Sequence, residues 1–310
     1  MPTQPNLPTD TGILDADTGR FLDHSAHQVF DLPYATLSAA QKLDLYMPAT
    51  GRPCPVILYI HGGAFSHGDK RDEQLESPLE GLKRGYSVIS MNYRMSGEAT
   101  FPALVQDVKA AVRWVRAHAD AHGLDPNRIA VWGGSAGGYL ALMAGVTGGL
   151  PAFDDPALGN TDVSAEVQAV VAWFPPADFL TMDAQLEASG FVQTPESAHS
   201  GPRSPESLIL GRQITLIPEL VREADPATYL RPGLPPFFIQ HGSADEIVPY
   251  QQSLVFAGKL ATVNGAETIR YELLLNAGHG HRDPAFNNPE NVARVLDFLD
   301  DALEVAVGCG

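Results

Sequence analysis

The sequence predicts an α/β fold in which helices cover both faces of a doubly wound, mostly parallel sheet. Short, uninterrupted apolar runs recur along the chain, as expected for strands that are buried on both faces. Segments with helical apolar spacing alternate with these runs, and this alternation favours parallel strands joined by crossover helices. The 310 residues, of which 44% are hydrophobic, are enough for one large domain with a sizeable core.

The individual elements follow from the apolar spacing and the turn residues between them. We predict an antiparallel edge first, and then six buried strands. The edge strands are 27–34 and 42–46, and the buried strands are 55–60, 85–91, 128–132, 167–174, 236–240 and 268–275. The main helices are predicted at 69–84, 102–122, 135–146, 248–263 and 289–305.

Two regions depart from this alternation. Residues 1–26 are polar and rich in Pro, Thr and Asp, and we interpret them as an N-terminal arm ahead of a single domain over 27–310. The stretch of about 175–235 holds many Pro, Ser and Glu residues and two short helical patches. Since it is too long for a plain connection, we expect a small helical cap inserted into the domain.

Charge and composition exclude several classes of partner. The net charge is −17, from 20 basic and 37 acidic residues, which argues against nucleic acid and anionic membrane surfaces. No apolar run reaches the roughly 18 residues of a membrane span. Two cysteines, Cys54 and Cys309, are too few for a disulfide scaffold. The N-terminus lacks the features of a signal peptide and predicts a cytoplasmic location, with secretion as the alternative if a leader precedes Met1.

The most informative motif is Gly-x-Ser-x-Gly at Gly133, Ser135 and Gly137. An apolar, β-prone run stops at this motif, and an Ala- and Leu-rich helical pattern follows at once. A strand, a sharp turn and a helix are the context that a nucleophile elbow requires. Glycines two residues before and after the serine allow the backbone to pack closely there. The motif therefore predicts Ser135 as a catalytic nucleophile.

A serine nucleophile needs a base to accept its proton and an acid to orient that base. Later strand ends supply both, because Asp245 follows the strand at 236–240 and His279 follows the strand at 268–275 in a Gly-His loop. The carboxyl ends of parallel strands meet at one edge of the sheet, where active sites lie. We assign Asp245 as the orienting acid and His279 as the base. His281 is the alternative base, and Glu246 is the alternative acid.

A second glycine-rich loop follows the first buried strand, at His61-Gly62-Gly63-Ala64-Phe65. Acyl transfer builds negative charge on an oxygen, and the loss of one preorganised donor costs about 3 kcal/mol. We expect the backbone N–H groups of Gly63, Ala64 and Ala136 to form this oxyanion hole, and His61 to anchor the loop.

These motifs resemble those of α/β-hydrolase fold esterases, over about residues 42–299. Loop 61–65, motif 133–137, Asp245 and His279 resemble the microbial hormone-sensitive-lipase-like esterases, although that pattern has a third Gly in place of Ala64 and a longer N-terminal cap. Segments 68–70 and 241–249 look closer to the feruloyl and acetyl-xylan esterase-like branch.

The resemblance implies a serine carboxylic-ester hydrolase that acts on short-chain or aryl esters through an acyl-enzyme, including acetyl or feruloyl esters of plant polysaccharide. It implies no cofactor and no metal. The alternatives are an arylformamidase or another amide hydrolase with the same triad, and a catalytically silent ligand-binding member of the fold.

The remaining expectations concern the substrate and the assembly. A small-molecule ester is the expected partner, the small cap favours short acyl chains, and monomer versus homodimer stays open. Apolar side chains near the predicted strand ends are the candidate pocket residues: Phe65, Tyr139, Trp173, Phe174 and Val248.

Overall fold

A computed structural model describes residues 27–49, 53–274 and 279–305 of the chain. The predicted arm over 1–26, the residue Cys309 and the end of the last predicted strand at Leu275 lie outside the described residues. The nucleophile motif, the loop at 61–65 and the two candidate base histidines lie inside them.

One sheet of eight strands forms the centre of the described structure. The strands are β1 His27–Pro33, β2 Lys42–Met47, β3 Cys54–Ile60, β4 Ser87–Met91, β5 Leu124–Gly134, β6 Ala169–Trp173, β7 Phe237–Gly242 and β8 Ile269–Leu274. Their order in the sheet is β1-β2-β4-β3-β5-β6-β7-β8. The β1–β2 and β2–β4 pairs are antiparallel and all the others are parallel, which confirms the predicted sheet and its antiparallel edge.

Helices cover both faces of the sheet, as predicted. They are α1 Glu76–Leu79, α2 Ala103–Ala117, α3 Ala119–His122, α4 Ala136–Thr147, α5 Met182–Ala188, α6 Pro205–Ile209, α7 Pro218–Ala224, α8 Gln251–Asn264 and α9 Pro289–Ala302. Helices α2, α4 and α8 bury their apolar residues in one core, and α1 and α9 bury theirs in a second core on the opposite face. None of the helices in the described ranges combines the length and the apolar character needed to cross a membrane.

Two predicted helices are interrupted. The pattern at 69–84 folds as the short helix α1 between two 3-10 segments, Glu73–Leu75 and Glu80–Arg84. Pro78 lies within α1, and because proline has no N–H it cannot continue the helical hydrogen bonds. The pattern at 102–122 splits into α2 and α3 at His118. The apolar spacing therefore identified the buried face correctly but overestimated the continuity of these helices.

The segment between β6 and β7 holds α5, α6 and α7, of which α5 was not predicted. Several side chains attach it to the rest of the protein, among them Tyr139, Gln252 and His199. The Tyr139 hydroxyl donates to the carbonyl of Ala224 at 2.8 Å. Gln252 Oε1 accepts the N–H of Ala177 at 2.8 Å. His199 Nε2 donates to the carbonyl of Ile247 at 2.8 Å, so the segment also contacts the loop that follows β7.

Candidate active site

Ser135 lies at the sharp turn between β5 and α4, with φ 56° and ψ −123°. A non-glycine residue rarely adopts this left-handed backbone, and strain of this kind is typical of functional sites. A Cβ at position 133 would lie 2.3 Å from the carbonyl oxygen of Gly137, and one at position 137 would lie 2.0 Å from that of Ile60. Only glycine fits at both positions, and the turn presents Ser135 at the carboxyl edge of the sheet.

His281 is the histidine that contacts Ser135. Its Nε2 lies 2.9 Å from Ser135 Oγ, and its Nδ1 lies 2.7 Å from Asp245 Oδ2. Both distances are hydrogen bonds in length, so a continuous chain links the hydroxyl, the imidazole and the carboxylate. The His281 side chain is 7% exposed, which shields this chain of hydrogen bonds from water.

The structure does not bring His279, the predicted base, to Ser135, and the alternative His281 lies in that position. His279 Nδ1 lies 2.9 Å from Asp283 Oδ1, within its own loop. The backbone of His279 has a separate contact, because its carbonyl accepts the N–H of Ala244 at 3.1 Å. A Cβ at position 242 would lie 2.4 Å from that carbonyl oxygen, so the His279 backbone packs directly on Gly242 at the end of β7. This contact places the side chain two residues later against Ser135.

Asp245 is placed by hydrogen bonds to both of its oxygens. Oδ1 accepts the N–H groups of Ile247 at 2.9 Å and of Val248 at 2.8 Å. Oδ2 faces His281, and it also lies 3.2 Å from Nε2 of His241. Burial alone would raise the pKa of Asp245, but the hydrogen bonds from the two histidines outweigh it and hold the pKa well below its ordinary value. The alternative acid, Glu246, is exposed.

The loop after β3 presents backbone N–H groups beside the nucleophile. Gly63, Ala64 and Phe65 have φ values of 115°, 50° and 60°, and the Gly63 carbonyl accepts the N–H of His67 at 3.0 Å. In the described part of the chain, the N–H groups of Gly63, Ala64 and Ala136 donate to no backbone or side-chain acceptor. That these three N–H groups donate to an external oxygen stays a prediction.

Buried polar contacts fix this loop to the sheet. His61 is fully buried and stacks on Tyr93, with ring centroids 4.6 Å apart, and its carbonyl accepts the Tyr93 hydroxyl at 3.0 Å. Burial lowers the pKa of His61. Further along the loop, Lys70 Nζ and Arg71 Nε lie 2.9 Å and 2.5 Å from Asp44 Oδ2 on β2. The loop is therefore attached both to the strand ends and to the antiparallel edge, and His61 anchors it as expected.

A cavity of about 470 Å³ lies beside Gly134, next to the nucleophile. Its lining combines four aromatic residues with polar and charged ones: Tyr59, Trp173, Phe174 and Phe286, and Glu73, Gln74, Glu76, Arg282 and Asn287. The centroid of the Phe174 ring lies 4.7 Å from that of the His281 ring and 4.7 Å from that of the Phe286 ring. Aromatic rings therefore extend from His281 into the cavity wall.

Of the five predicted pocket residues, Trp173 and Phe174 line this cavity. Phe65 and Tyr139 do not, because they belong to the core on the other face of the sheet, where their rings pack 5.5 Å apart. Val248 is buried in the loop after Asp245. Their positions near strand ends did not reveal which face they occupy.

Among the lining residues that the sequence did not indicate are Tyr59, Gln74 and Phe286. Tyr59 is one aromatic residue in a buried strand, and the other two lie in short 3-10 segments. None of the three belongs to a motif, so only the alternation of faces along β3 could have suggested Tyr59.

The chain is similar to known families over most of its length. Residues 43–260 match the BD-FAE family, and residues 215–306 match the prolyl oligopeptidase family. Esterase LipQ of Mycobacterium tuberculosis is 32% identical over 280 residues, which are 88% of this chain and 62% of LipQ. The chain spans only 54 to 62% of the length of LipQ and of two further curated relatives.

Two solved structures are similar over about nine tenths of the chain. A truncated carbohydrate esterase from gut microbiota has a TM-score of 0.80 and 28% identity, and covers 91% of this chain and 98% of its own. A bifunctional GH43-CE protein of Bacteroides eggerthii has a TM-score of 0.77 and 30% identity, over 89% of this chain and 35% of its own.

Proposed function

This chain belongs to the BD-FAE family and has the α/β-hydrolase fold, and from that premise we propose that it is a serine carboxylic-ester hydrolase. The observation that supports the proposal most directly is the hydrogen-bonded chain from Ser135 through His281 to Asp245. Nucleophile, base and orienting acid follow one another in this way in serine hydrolases of unrelated folds. The names of LipQ and of the two structural neighbours point to the same class of chemistry.

In the first half of the reaction, Ser135 Oγ attacks the ester carbonyl carbon while its proton moves to His281 Nε2. Asp245 accepts the Nδ1–H of His281, which fixes the tautomer with a free Nε2 and stabilises the imidazolium. The carbonyl oxygen becomes an oxyanion, and the N–H groups of Gly63, Ala64 and Ala136 donate to it. The carbon–oxygen bond to the alcohol then breaks, and the alcohol leaves with the proton from His281.

In the second half, a water molecule attacks the acyl-enzyme. His281 accepts a proton from this water, and the same N–H groups stabilise the second oxyanion. The bond to Ser135 breaks, the acid leaves, and His281 returns the proton to Ser135 Oγ. Every proton that moves in the two halves therefore passes through His281 Nε2.

We propose short-chain or aryl esters as substrates, including acetyl or feruloyl esters of plant polysaccharide. The volume of the cavity beside Gly134 is in the range of small-molecule sites, and its four aromatic lining residues suit a ring or a short acyl group beside the polar groups that line the rest. The neighbour named as a carbohydrate esterase supports the polysaccharide assignment. Within a single domain over 27–310, we propose that the segment of about 175–235 acts as a cap. We also propose a cytoplasmic location, which recovery of the native protein from the culture medium would contradict.

Hydrolysis of p-nitrophenyl acetate and butyrate by the wild-type protein and by Ser135→Ala tests this assignment. We expect the wild type to hydrolyse both esters and the variant to show no rate above background. A fluorophosphonate probe should label the wild type and leave Ser135→Ala unlabelled, and equal rates or equal labelling would overturn the assignment. A panel of acetylated xylan, methyl ferulate and N-formylkynurenine then identifies the bond, because a larger kcat/KM for the formamide would favour amide hydrolysis.

A further inference from the structure

We propose that His241 is a positioning residue of this active site, which donates to the same carboxylate oxygen of Asp245 that binds His281. In this role it fixes the direction of the carboxylate and limits how strongly Asp245 stabilises the protonated His281. The proposal rests on the proposed function, in which His281 is the base.

His241 is held at both ring nitrogens. It is the penultimate residue of β7 and is fully buried. Its Nε2 lies 2.8 Å from the carbonyl oxygen of Val248, and its Nδ1 lies 2.7 Å from Ser253 Oγ. Since a carbonyl can only accept, Nε2 must carry the proton, and in the singly protonated ring the Ser253 hydroxyl donates to Nδ1. These two contacts leave the ring no freedom to turn.

The Nε2–H of His241 faces a second acceptor as well. Asp245 Oδ2 lies 3.2 Å from this nitrogen, and we infer that the N–H, whose main acceptor is the Val248 carbonyl, also donates weakly to the carboxylate. The same Oδ2 accepts the shorter bond from His281 Nδ1, at 2.7 Å. Two imidazoles therefore meet at one carboxylate oxygen, one from the sheet and one from the base loop.

This sharing has a chemical consequence for the base. The other oxygen of Asp245 accepts two backbone N–H groups. Each hydrogen bond donated to the carboxylate draws negative charge toward the donor, and this weakens the hydrogen bond between Asp245 and His281. Removal of the His241 donor would leave the carboxylate more basic. A more basic Asp245 would stabilise the imidazolium of His281, and the neutral form that accepts the proton of Ser135 would then appear only at higher pH.

Few other titratable groups lie around this pair in the described part of the chain. Glu246 is next to Asp245 but exposed, and His199, which pairs with Glu206 at 3.0 Å, reaches only the carbonyl of Ile247. On the side of the base loop, Arg282 pairs with Glu73 at 2.7 Å. None of these side chains forms a hydrogen bond with the carboxylate of Asp245, which leaves His241 as the second side-chain donor beside His281.

A matched pair of substitutions separates this role from simple packing. His241→Gln places an amide N–H near the position of Nε2, whereas His241→Met has nearly the same length and volume but no donor. We expect kcat for p-nitrophenyl butyrate to fall about tenfold in the Met variant with KM within about twofold. The acid limb of the kcat/KM profile should move to higher pH by on the order of half a unit. The Gln variant should have a kcat and an acid limb close to those of the wild type.

Two results would overturn the proposal: a wild-type rate and profile in the Met variant, or equal losses in both variants with an unmoved acid limb. If the Met variant does not fold, Ser253→Ala takes its place, since it removes the hydroxyl that holds the ring. If the acid limb of the kcat/KM profile moves to higher pH in Ser253→Ala, the proposal is supported. If this limb stays at the wild-type pH, the proposal is overturned.

The rate of Ser135 labelling by the fluorophosphonate, measured against pH, provides the same profile without an ester. It therefore tests the role of His241 even if the preferred substrate is an amide. A wild-type protein that neither labels nor hydrolyses any ester would instead refute the proposed function, and with it the premise of this proposal.

Discussion

The imidazole of His279 and the carboxylate of Asp283 lie 2.9 Å apart, within the same loop that presents His281 to Ser135. Asp283 also accepts the N–H of Ala285 at 2.9 Å and so caps the 3-10 segment Pro284–Asn287. Burial alone would raise the pKa of Asp283, but the hydrogen bonds from Ala285 and His279 bring it below its ordinary value. The two histidines of this loop therefore have separate tasks: His279 supports the loop, and His281 contacts the nucleophile.

Substitution of each histidine separates these tasks. We expect His281→Ala to lower kcat for p-nitrophenyl acetate by about 10⁴-fold or more, because no other side chain in the described ranges forms a hydrogen bond with Ser135 Oγ. His279→Ala removes only a partly exposed contact and should retain kcat within about tenfold. Steady-state kinetics on both purified variants, with a thermal melt for each, provides the comparison. An equally deep loss in His279→Ala would contradict the assignment of His281.

The geometry of the oxyanion loop can be tested at Gly63. Its φ is 115°, and a Cβ there would lie 1.9 Å from the carbonyl oxygen of His67. We expect Gly63→Ala to displace the N–H donors and to lower kcat by about 10² to 10³-fold, with a smaller change in KM. Gly159→Ala is the matched control, since Gly159 also has positive φ, 79°, but no atom within 4 Å of the added Cβ. Equal kinetic losses in the two variants would argue against an oxyanion role for this loop.

Asp72 should make stability depend on pH in the opposite direction from an ion-paired carboxylate. Burial raises its pKa from 3.8 to about 6, while hydrogen bonds from Gln74 act against the rise. The folded state then keeps a proton that the unfolded state releases, so the free energy of unfolding falls as pH rises from 3.8 to about 6. The loss amounts to on the order of 3 kcal/mol and persists above that window.

Asp72→Asn removes this titration and keeps a side chain that can cap the N–H of Gln74. We expect the stability of the variant relative to the wild type to increase between pH 4 and pH 7, as measured by urea unfolding. A relative stability that stays constant over that range would show that Asp72 titrates normally in the folded protein.

Acyl-chain length tests the size of the substrate site. The cavity of about 470 Å³ beside Gly134 can hold a short or planar group, and a palmitoyl chain would have to leave it. We expect kcat/KM for p-nitrophenyl butyrate to exceed that for the palmitate ester by at least about tenfold. The rates are compared after subtraction of the Ser135→Ala background. Faster turnover of the palmitate ester would refute the proposed preference for short chains.

The turn that holds Ser135, the proposed nucleophile, could be predicted from the sequence because its geometry is local. The glycines at 133 and 137 leave space for neighbouring carbonyls, and the strand and helix around them are contiguous in the chain. Asp245 could also be predicted from the sequence, since it accepts the N–H groups of residues only two and three positions away. Patterns of this length are visible in one sequence.

The choice between His279 and His281 depends on contacts between residues that are distant in the sequence. Both follow β8 in a glycine-rich loop, and a carbonyl at 279 bonded to the N–H of Ala244, on a different strand end, decides which one faces Ser135. Only part of the lining of the cavity beside Gly134 was predicted, for a similar reason. Phe65 and Phe174 both follow strand ends, but they lie in cores on opposite faces of the sheet, and sequence spacing does not report the face.

The attachment of Lys70 and Arg71 to Asp44 constrains how catalytic loops can be exchanged between members of this fold. The Asp44 side chain is fully buried and pairs with both Lys70 and Arg71, so a loop that lacks the two cations would leave a buried carboxylate uncompensated, at a cost of about 3 kcal/mol or more. A chimera that imports a foreign loop over 61–72 but keeps the native β2, or the reverse, would separate the pair. Recombination breakpoints should therefore fall outside 44–71, so that strand and loop are transferred as one unit.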